Sequence, residues 1–281
     1  MPELIEHRFW TGRRVVVLLE GPAGWGEFSP LPGYPADDGV CRAAAEEAAI
    51  LGFPPAVRSR VAVNALVDAP PVDAGALRGF PAVKVKVRAP ADVDLVAAVR
   101  AAVGPSVALR VDANGAWTVD EAIDMIERLR PYDLELVEQP VATIEDLARV
   151  RRAVDVPIAA DECVRSREDA RRLRELRAAD VIVVKQQPLG GVRAALDVVD
   201  AAGVPAIVTS MMETSVGVAA GLALAAALPE LPYACGLATA GMHEADVTSD
   251  PLVPVDGMLE VRTVVPDLVV GQSDADQARR S

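Results

Sequence analysis

The chain has very little lysine: Lys84, Lys86 and Lys185 are the only three, against 25 arginines in 281 residues. Histidine is scarcer still, with only His7 and His243. Neither lies at the end of a predicted strand, so a histidine base is not the default here. The three cysteines, Cys41, Cys163 and Cys235, stand far apart with no CxxC. That spacing excludes a disulfide framework and a Cys-rich zinc centre, and reads as reduced thiols of a cytoplasmic protein. Cys163 and Cys235 fall near strand ends but have no partner histidine, which argues against a thiol nucleophile. No GxGxxG or Walker motif follows any strand, so a nucleotide-binding fold is disfavoured. The longest uncharged stretch near the C-terminal end, residues 214–229, is shorter than the ~20 residues needed to span a bilayer and reads as a buried helix. The apolar run from Val15 to Leu19 is too short for a signal peptide. Aromatics make up only 4%. The net charge of −13 disfavours nucleic acid and anionic membranes as partners, and an anionic substrate would need a local cation.

From about residue 60 onward, short β-branched runs alternate with charged segments of helical periodicity. The runs cover residues 61–67, 82–87, 107–111, 134–138, 156–160, 180–185, 205–210 and 231–236, giving eight predicted strands. Thr118, Thr143 and Ser166 occupy N-cap positions of the intervening helices, and Glu121 completes a capping box with Thr118. Strand and helix repeating about every 25 residues predict parallel strands with right-handed crossovers, and eight units close a barrel. The expected fold class is therefore α/β. Residues 1–58 break the pattern: RRVVVLLEGPAGWGEFSP reads as an antiparallel hairpin and ADDGVCRAAAEEAAILG as a helix. The expected organisation is an α+β unit over 1–58, a barrel over 59–236, and a segment over 237–281 that returns to the first unit, with the polar end GQSDADQARRS frayed.

In such a barrel the chemistry gathers at the C-terminal ends of the strands. Those ends carry, in order, Lys84 and Lys86, Asp112, Glu138, Asp161 and Lys185. Asp112 to Glu138 is 26 residues, Glu138 to Asp161 is 23 and Asp161 to Lys185 is 24, one strand–helix unit each. Neighbouring strands lie ~4.8 Å apart, so three acids at successive ends converge on one point. Together they would raise one another's pKa unless a cation sits among them, and all-oxygen ligands suit Mg²⁺ or Mn²⁺. Lys84 and Lys86, two residues apart, share one face of their strand. If the valines of VKVKV pack on helices, both lysines point into the barrel. Lysine can give up a proton in a desolvated site and arginine cannot, so lysines surviving only at these positions point to proton transfer.

These residues resemble the enolase superfamily and, within it, the muconate lactonizing enzyme subgroup. The resemblance spans nearly the whole chain: WGEFSPLPGY, VKVKV, RVDANGAW, VEQP, ADECV and VVKQQPLGG, in that order. It implies a (β/α)₇β TIM-like barrel with a small α+β capping domain that the C-terminal segment completes. It implies Asp112, Glu138 and Asp161 as ligands of Mg²⁺, with Mn²⁺ as the alternative. It further implies Lys86 as the base beside Lys84, Lys185 as the cation on the opposite face, and Asn114, Gln139 and Glu162 supporting them. The implied reaction is removal of a proton α to a carboxylate of a small-molecule substrate, giving an enediolate. VNALV in the first strand and TSMMETSVG around the seventh, with Ser210, Glu213 and Thr214, are most similar to the o-succinylbenzoate synthases, dehydratases of menaquinone biosynthesis. N-succinylamino acid racemase and muconate cycloisomerase share nearly the same residues. A dipeptide epimerase would carry Asp-x-Asp after the eighth strand, where CGLATAG has no acid. Met211 and Met212 stand where small polar residues are expected. The resemblance also places the loop from Ser29 to Asp38 over the substrate.

Overall fold

A computed structural model describes residues 2–267. The polar end GQSDADQARRS lies outside the described residues. The chain opens with an antiparallel sheet of β1 (Ile5–Trp10), β2 (Val15–Gly21) and β3 (Gly24–Phe28) in that order. The β2–β3 hairpin was expected from sequence, and β1 was not. IEHRFW is mostly exposed and carries no clean apolar alternation, so only its pairing with β2 makes it a strand. Helix α1 (Asp38–Leu51) crosses this sheet, with the Asp37 side chain accepting from the Val40 amide at its start. Its buried face is Cys41 and four alanines, and it lets β3 approach closely. A Cβ added at Gly26 would sit 1.9 Å from the Ala45 carbonyl oxygen, so only glycine fits there.

The predicted first barrel strand is split at Val63 into β4 (Arg60–Ala62) and β5 (Asn64–Val67). There follow β6 (Ala82–Lys86), α2 (Val93–Val103), β7 (Ala108–Asp112), α3 (Val119–Leu129), β8 (Leu134–Glu138) and α4 (Ile144–Ala153). The series continues with β9 (Ile158–Ala160), α5 (Arg167–Leu176), β10 (Val181–Val184), α6 (Val192–Ala202), β11 (Ala206–Val208) and α7 (Ser215–Ala227). Strands β5 to β11 form one seven-stranded sheet in chain order, every pair parallel. The predicted N-caps are in place: Thr118, Thr143 and Ser166 each accept from the amide three residues on, and Glu121 answers Thr118 in a capping box. Helix α7 is buried nearly all round, as its uncharged sequence implies.

The eighth predicted strand is not regular. Residues 231–236 make only two isolated parallel bridges, Cys235 to Val63 and Gly236 to Thr209. These still close the gap between the first and last strands. The Cys235 amide donates to the Ala62 carbonyl at 2.7 Å and the Gly236 amide to the Val208 carbonyl at 2.8 Å. Pro232 lacks the amide that a longer ladder needs.

Strand residues alternate between two packing environments. Outward positions join the large core beneath the helices. Leu136, Ala159, Val181, Val183 and Ile207 form a separate cluster inside the barrel, with Tyr233 against it. Arg110 lies on the same face of β7 as Asp112, only 1% exposed, and donates to Glu135 and the Ala234 carbonyl. The chain returns through β12 (Met258–Glu260), antiparallel to β4. The amides of Glu244 and Ala245 both donate to the Thr11 carbonyl in the N-terminal unit. Among the described residues no helix is long and apolar enough to cross a membrane.

Candidate active site

Strand register levels the charged ends. Lys86 is the Cα partner of Asp112 across β6 and β7, and Asp112 is the partner of Glu138 across β7 and β8. Lys84 Nζ donates to Asp112 Oδ2 at 2.9 Å and Glu138 Oε1 at 2.8 Å. Lys86 Nζ donates to the same Asp112 Oδ2 at 2.6 Å and to Asn114 Oδ1 at 2.8 Å. Both lysines of VKVKV therefore face the barrel interior and converge on one carboxylate oxygen. Across the barrel, Lys185 pairs with Asp161 and donates to the Tyr34 hydroxyl at 3.2 Å, with its ammonium 4.7 Å from the centre of the Tyr34 ring. The Tyr34 hydroxyl donates to Asp161 at 3.3 Å.

These groups perturb one another as a buried charge cluster must. Burial raises the Glu138 pKa, Asp112 raises it further, and Lys84 opposes both, leaving it at about 8. Burial pushes Asp112 up, but Lys84 and Lys86 outweigh it and hold its carboxyl well below the usual range. Burial would lower Lys84 and Lys185, yet their carboxylate neighbours hold both above the ordinary lysine value.

Among the described residues no three His, Cys, Asp or Glu side chains form a ready-made metal cluster. Lys84 bridges Asp112 and Glu138 instead, and Lys185 caps Asp161. The donor set nonetheless fits a divalent cation. Asp112, Glu138 and Asp161 are each 4% exposed or less at successive strand ends, and the Glu138 carboxyl, pushed up to about 8, is short of positive charge. Glu162 beside them has a buried Oε2 with no partner. Oxygen-only ligands of this kind suit a hard cation.

The remaining predicted residues divide into two groups. Asn114 accepts from Lys86 and donates to Glu162 at 2.8 Å. Gln139 is buried, and its Oε1 accepts the Asp161 amide at 2.7 Å while its Nε2 donates to the Val141 carbonyl. Both hold left-handed backbone, φ 48° and 40°, which asparagine tolerates and which costs Gln139 ~1–2 kcal/mol. Ser210 lines the cavity and is hydrogen-bonded to Thr239 at 2.8 Å. Glu213 and Thr214, expected to bind substrate or to support the residues that do, lie in the seam between the N-terminal unit and the barrel. There Glu27 accepts from the Thr214 hydroxyl at 2.5 Å and the Gly217 amide at 2.9 Å, and Glu213 accepts the Met211 amide at 2.5 Å. The turn after β11 puts Ser210 on the cavity side and buries the next acid beneath it.

Glu213 is a pH-dependent element of stability. Burial first, then Glu27, raises its pKa from 4.5 to about 7. Between those values the folded protein keeps a proton that the unfolded chain has lost, so this group's contribution to stability falls as pH rises through that window. The expected loss is up to about 3 kcal/mol. In urea unfolding at pH 5 and pH 8, Glu213→Gln should narrow the stability difference between the two by about that amount. An unchanged difference would refute the assignment.

Sequence reasoning missed the residues brought by other segments: Arg13, Leu31 and Tyr34 from the N-terminal unit, and Thr239 and Met242 after the barrel. With the lysines and acids they surround a cavity of about 550 Å³. Only Leu31 and Tyr34 had a signal, lying within the loop expected over the substrate. His243, outside every strand end, donates through Nε2 to the Met212 carbonyl at 2.8 Å. The thiols take no part: burial pushes Cys163 up to about 12 and Cys235 up to about 11, and all three cysteines are free.

The comparisons agree with this geometry. Residues 72–267 match the enolase C-terminal domain-like family and residues 6–49 the enolase N-terminal domain-like family. The chain belongs to the enolase superfamily. An o-succinylbenzoate synthase of Thermobifida fusca (strain YX) is 55% identical over 258 residues, covering 88% of this chain and 81% of the relative. One from Mycolicibacterium smegmatis (strain ATCC 700084 / mc(2)155) is 46% identical over 266 residues, covering 90% and 82%. The muconate cycloisomerase of Pseudomonas fluorescens superposes with a TM-score of 0.79 over 99% of this chain and 97% of its own, at 23% identity, a likeness of fold. The enolase superfamily membership makes the chain an enzyme, and the strand-end lysines and carboxylates are its candidate machinery.

Proposed function

We propose that this enzyme is an o-succinylbenzoate synthase, a lyase that dehydrates 2-succinyl-6-hydroxy-2,4-cyclohexadiene-1-carboxylate for menaquinone biosynthesis. Its kinship with synthases at 46–55% identity carries the reading, and two lysines on opposite walls of one cavity support it. Strands β6 and β10 are separated by three others, so Lys86 and Lys185 face a bound ring from different sides.

In the proposed reaction Lys86, as the free amine, takes the proton α to the carboxylate. The electron pair moves into the carboxylate to give an enediolate. The resulting Lys86 ammonium then protonates the departing hydroxyl on the same face; the C–O bond breaks, water leaves and the ring becomes aromatic. Lys84 lies beside the carboxylate end, and Lys185, held by Asp161 and Tyr34, supplies positive charge on the far side. Asp112, Glu138 and Asp161 would hold Mg²⁺, which would supply positive charge where the enediolate oxygens develop negative charge. Gln139 and Asn114 orient the acids and Lys86. A small carboxylate substrate and cytoplasmic residence complete the proposal.

The test is incubation with the cyclohexadiene acid and, separately, with N-succinylamino acids. Formation of the aromatic product at ~1–10³ s⁻¹ is expected, an ordinary enzymatic rate. Racemisation of the amino acid without dehydration would replace this reading with the racemase.

A further inference from the structure

Met212 is the one cavity-lining residue after β11 whose backbone is left-handed, at φ 61°. An unbranched residue other than glycine or asparagine holds that conformation only when its surroundings fix it. Two side chains do so here, both from outside the barrel strands. Arg14 Nη2 donates to the Met212 carbonyl at 2.7 Å and to the Met211 carbonyl at 2.8 Å. Its Nη1 donates to the Pro30 carbonyl, at the start of the loop that carries Tyr34, at 3.3 Å. His243 Nε2 donates to the Met212 carbonyl at 2.8 Å and to the Glu213 carbonyl at 3.2 Å. A carbonyl only accepts, so both partners donate, and the guanidinium fork reaches three carbonyls that a single ammonium could not.

We propose that Arg14 is a positioning residue for the substrate pocket. By holding Met212 in its left-handed turn, with His243 as second anchor, it aims the Met212 side chain into the cavity and ties that wall to the loop bearing Tyr34. The chemistry needs no group from Arg14, so its influence falls on substrate binding. The part that concerns substrate rests on the synthase reading; the anchoring does not.

The experiment is a double-mutant cycle on the dehydration, with hydrogen exchange of residues 209–214 measured alongside. Arg14→Ala should raise KM about tenfold while kcat changes less than threefold, and Arg14→Lys should fall between it and the unmodified enzyme. Met212→Gly accepts the left-handed backbone without help and has no side chain to aim. Adding Arg14→Ala to it should therefore change KM less than twofold further. Exchange of the Met211 to Thr214 amides should quicken about tenfold in Arg14→Ala. Multiplicative KM effects in the cycle, or a lower Tm with unchanged KM, would overturn the positioning role. If the unmodified protein does not dehydrate the cyclohexadiene acid, the synthase reading fails, and the exchange arm alone then decides the anchor: unchanged exchange in Arg14→Ala would overturn it.

Discussion

Lys86→Ala should fold and lose essentially all turnover, with kcat reduced about 10⁴-fold. General acid–base catalysis by one positioned group contributes roughly 10²–10⁴. The upper end is expected because the proposed reaction uses Lys86 twice, first to take the α-proton and then to protonate the leaving hydroxyl. Lys86→Arg should fail to the same degree, since a guanidinium fits the carboxylates but does not give up its proton. Folding should survive both changes, because Asp112 keeps its second partner, Lys84, at 2.9 Å. Circular dichroism and the thermal midpoint verify that, and stopped-flow absorbance on the cyclohexadiene acid measures the rate. Turnover within tenfold of normal in Lys86→Ala would remove Lys86 from the mechanism.

Stripping divalent cations should have an effect of comparable size. After exhaustive chelation activity should fall below about 1%, and millimolar Mg²⁺ should restore it, because three buried carboxylates would hold the cation that supports the enediolate charge. A second readout is independent of turnover. A ligand at 100 times its Kd stabilises the folded state by about 2.7 kcal/mol, and for a chain of this size each kcal/mol moves the midpoint by about 2–4 °C. Mg²⁺ should therefore raise the midpoint of the stripped protein by roughly 5–10 °C. Glu138→Gln should abolish that rise, since it removes one of the three proposed ligands. Full activity in stripped protein, or a rise that persists in Glu138→Gln, would count against the assignment.

The strand-end acids were legible because each sits one strand–helix unit from the next, so a period in sequence becomes a ring in space. The lysine pair was legible from VKVKV, where the two-residue strand repeat assigns both side chains to one face. The helix starts were legible from Thr118, Thr143 and Ser166, whose capping bonds span three residues. Strand β1 was not, because its exposed, charged sequence takes its form from β2. The eighth strand was overread: LPYACG has the composition of a strand, but its contacts are single bridges made after the sheet has already curved round. Sequence likeness marked Glu213 and Thr214 as substrate-binding or supporting residues but not where they pack, because the turn after β11 carries them into the seam with Glu27.

Local and periodic interactions were therefore set by the sequence alone: the first seven barrel strands and the helices between them, where those helices begin, and that three acids and three lysines share one end of a barrel. The lysine count that first stood out is explained by this, since every lysine lies in the cavity wall. Contacts between distant segments needed the tertiary structure. No periodicity links Arg14, Met212 and His243, and none brings Tyr34 onto Lys185. Such meetings depend on how the N-terminal unit and the returning segment dock on the barrel mouth. That docking is the sum of many weak packing and hydrogen-bond terms between residues far apart in the chain, as between Thr11 and Glu244.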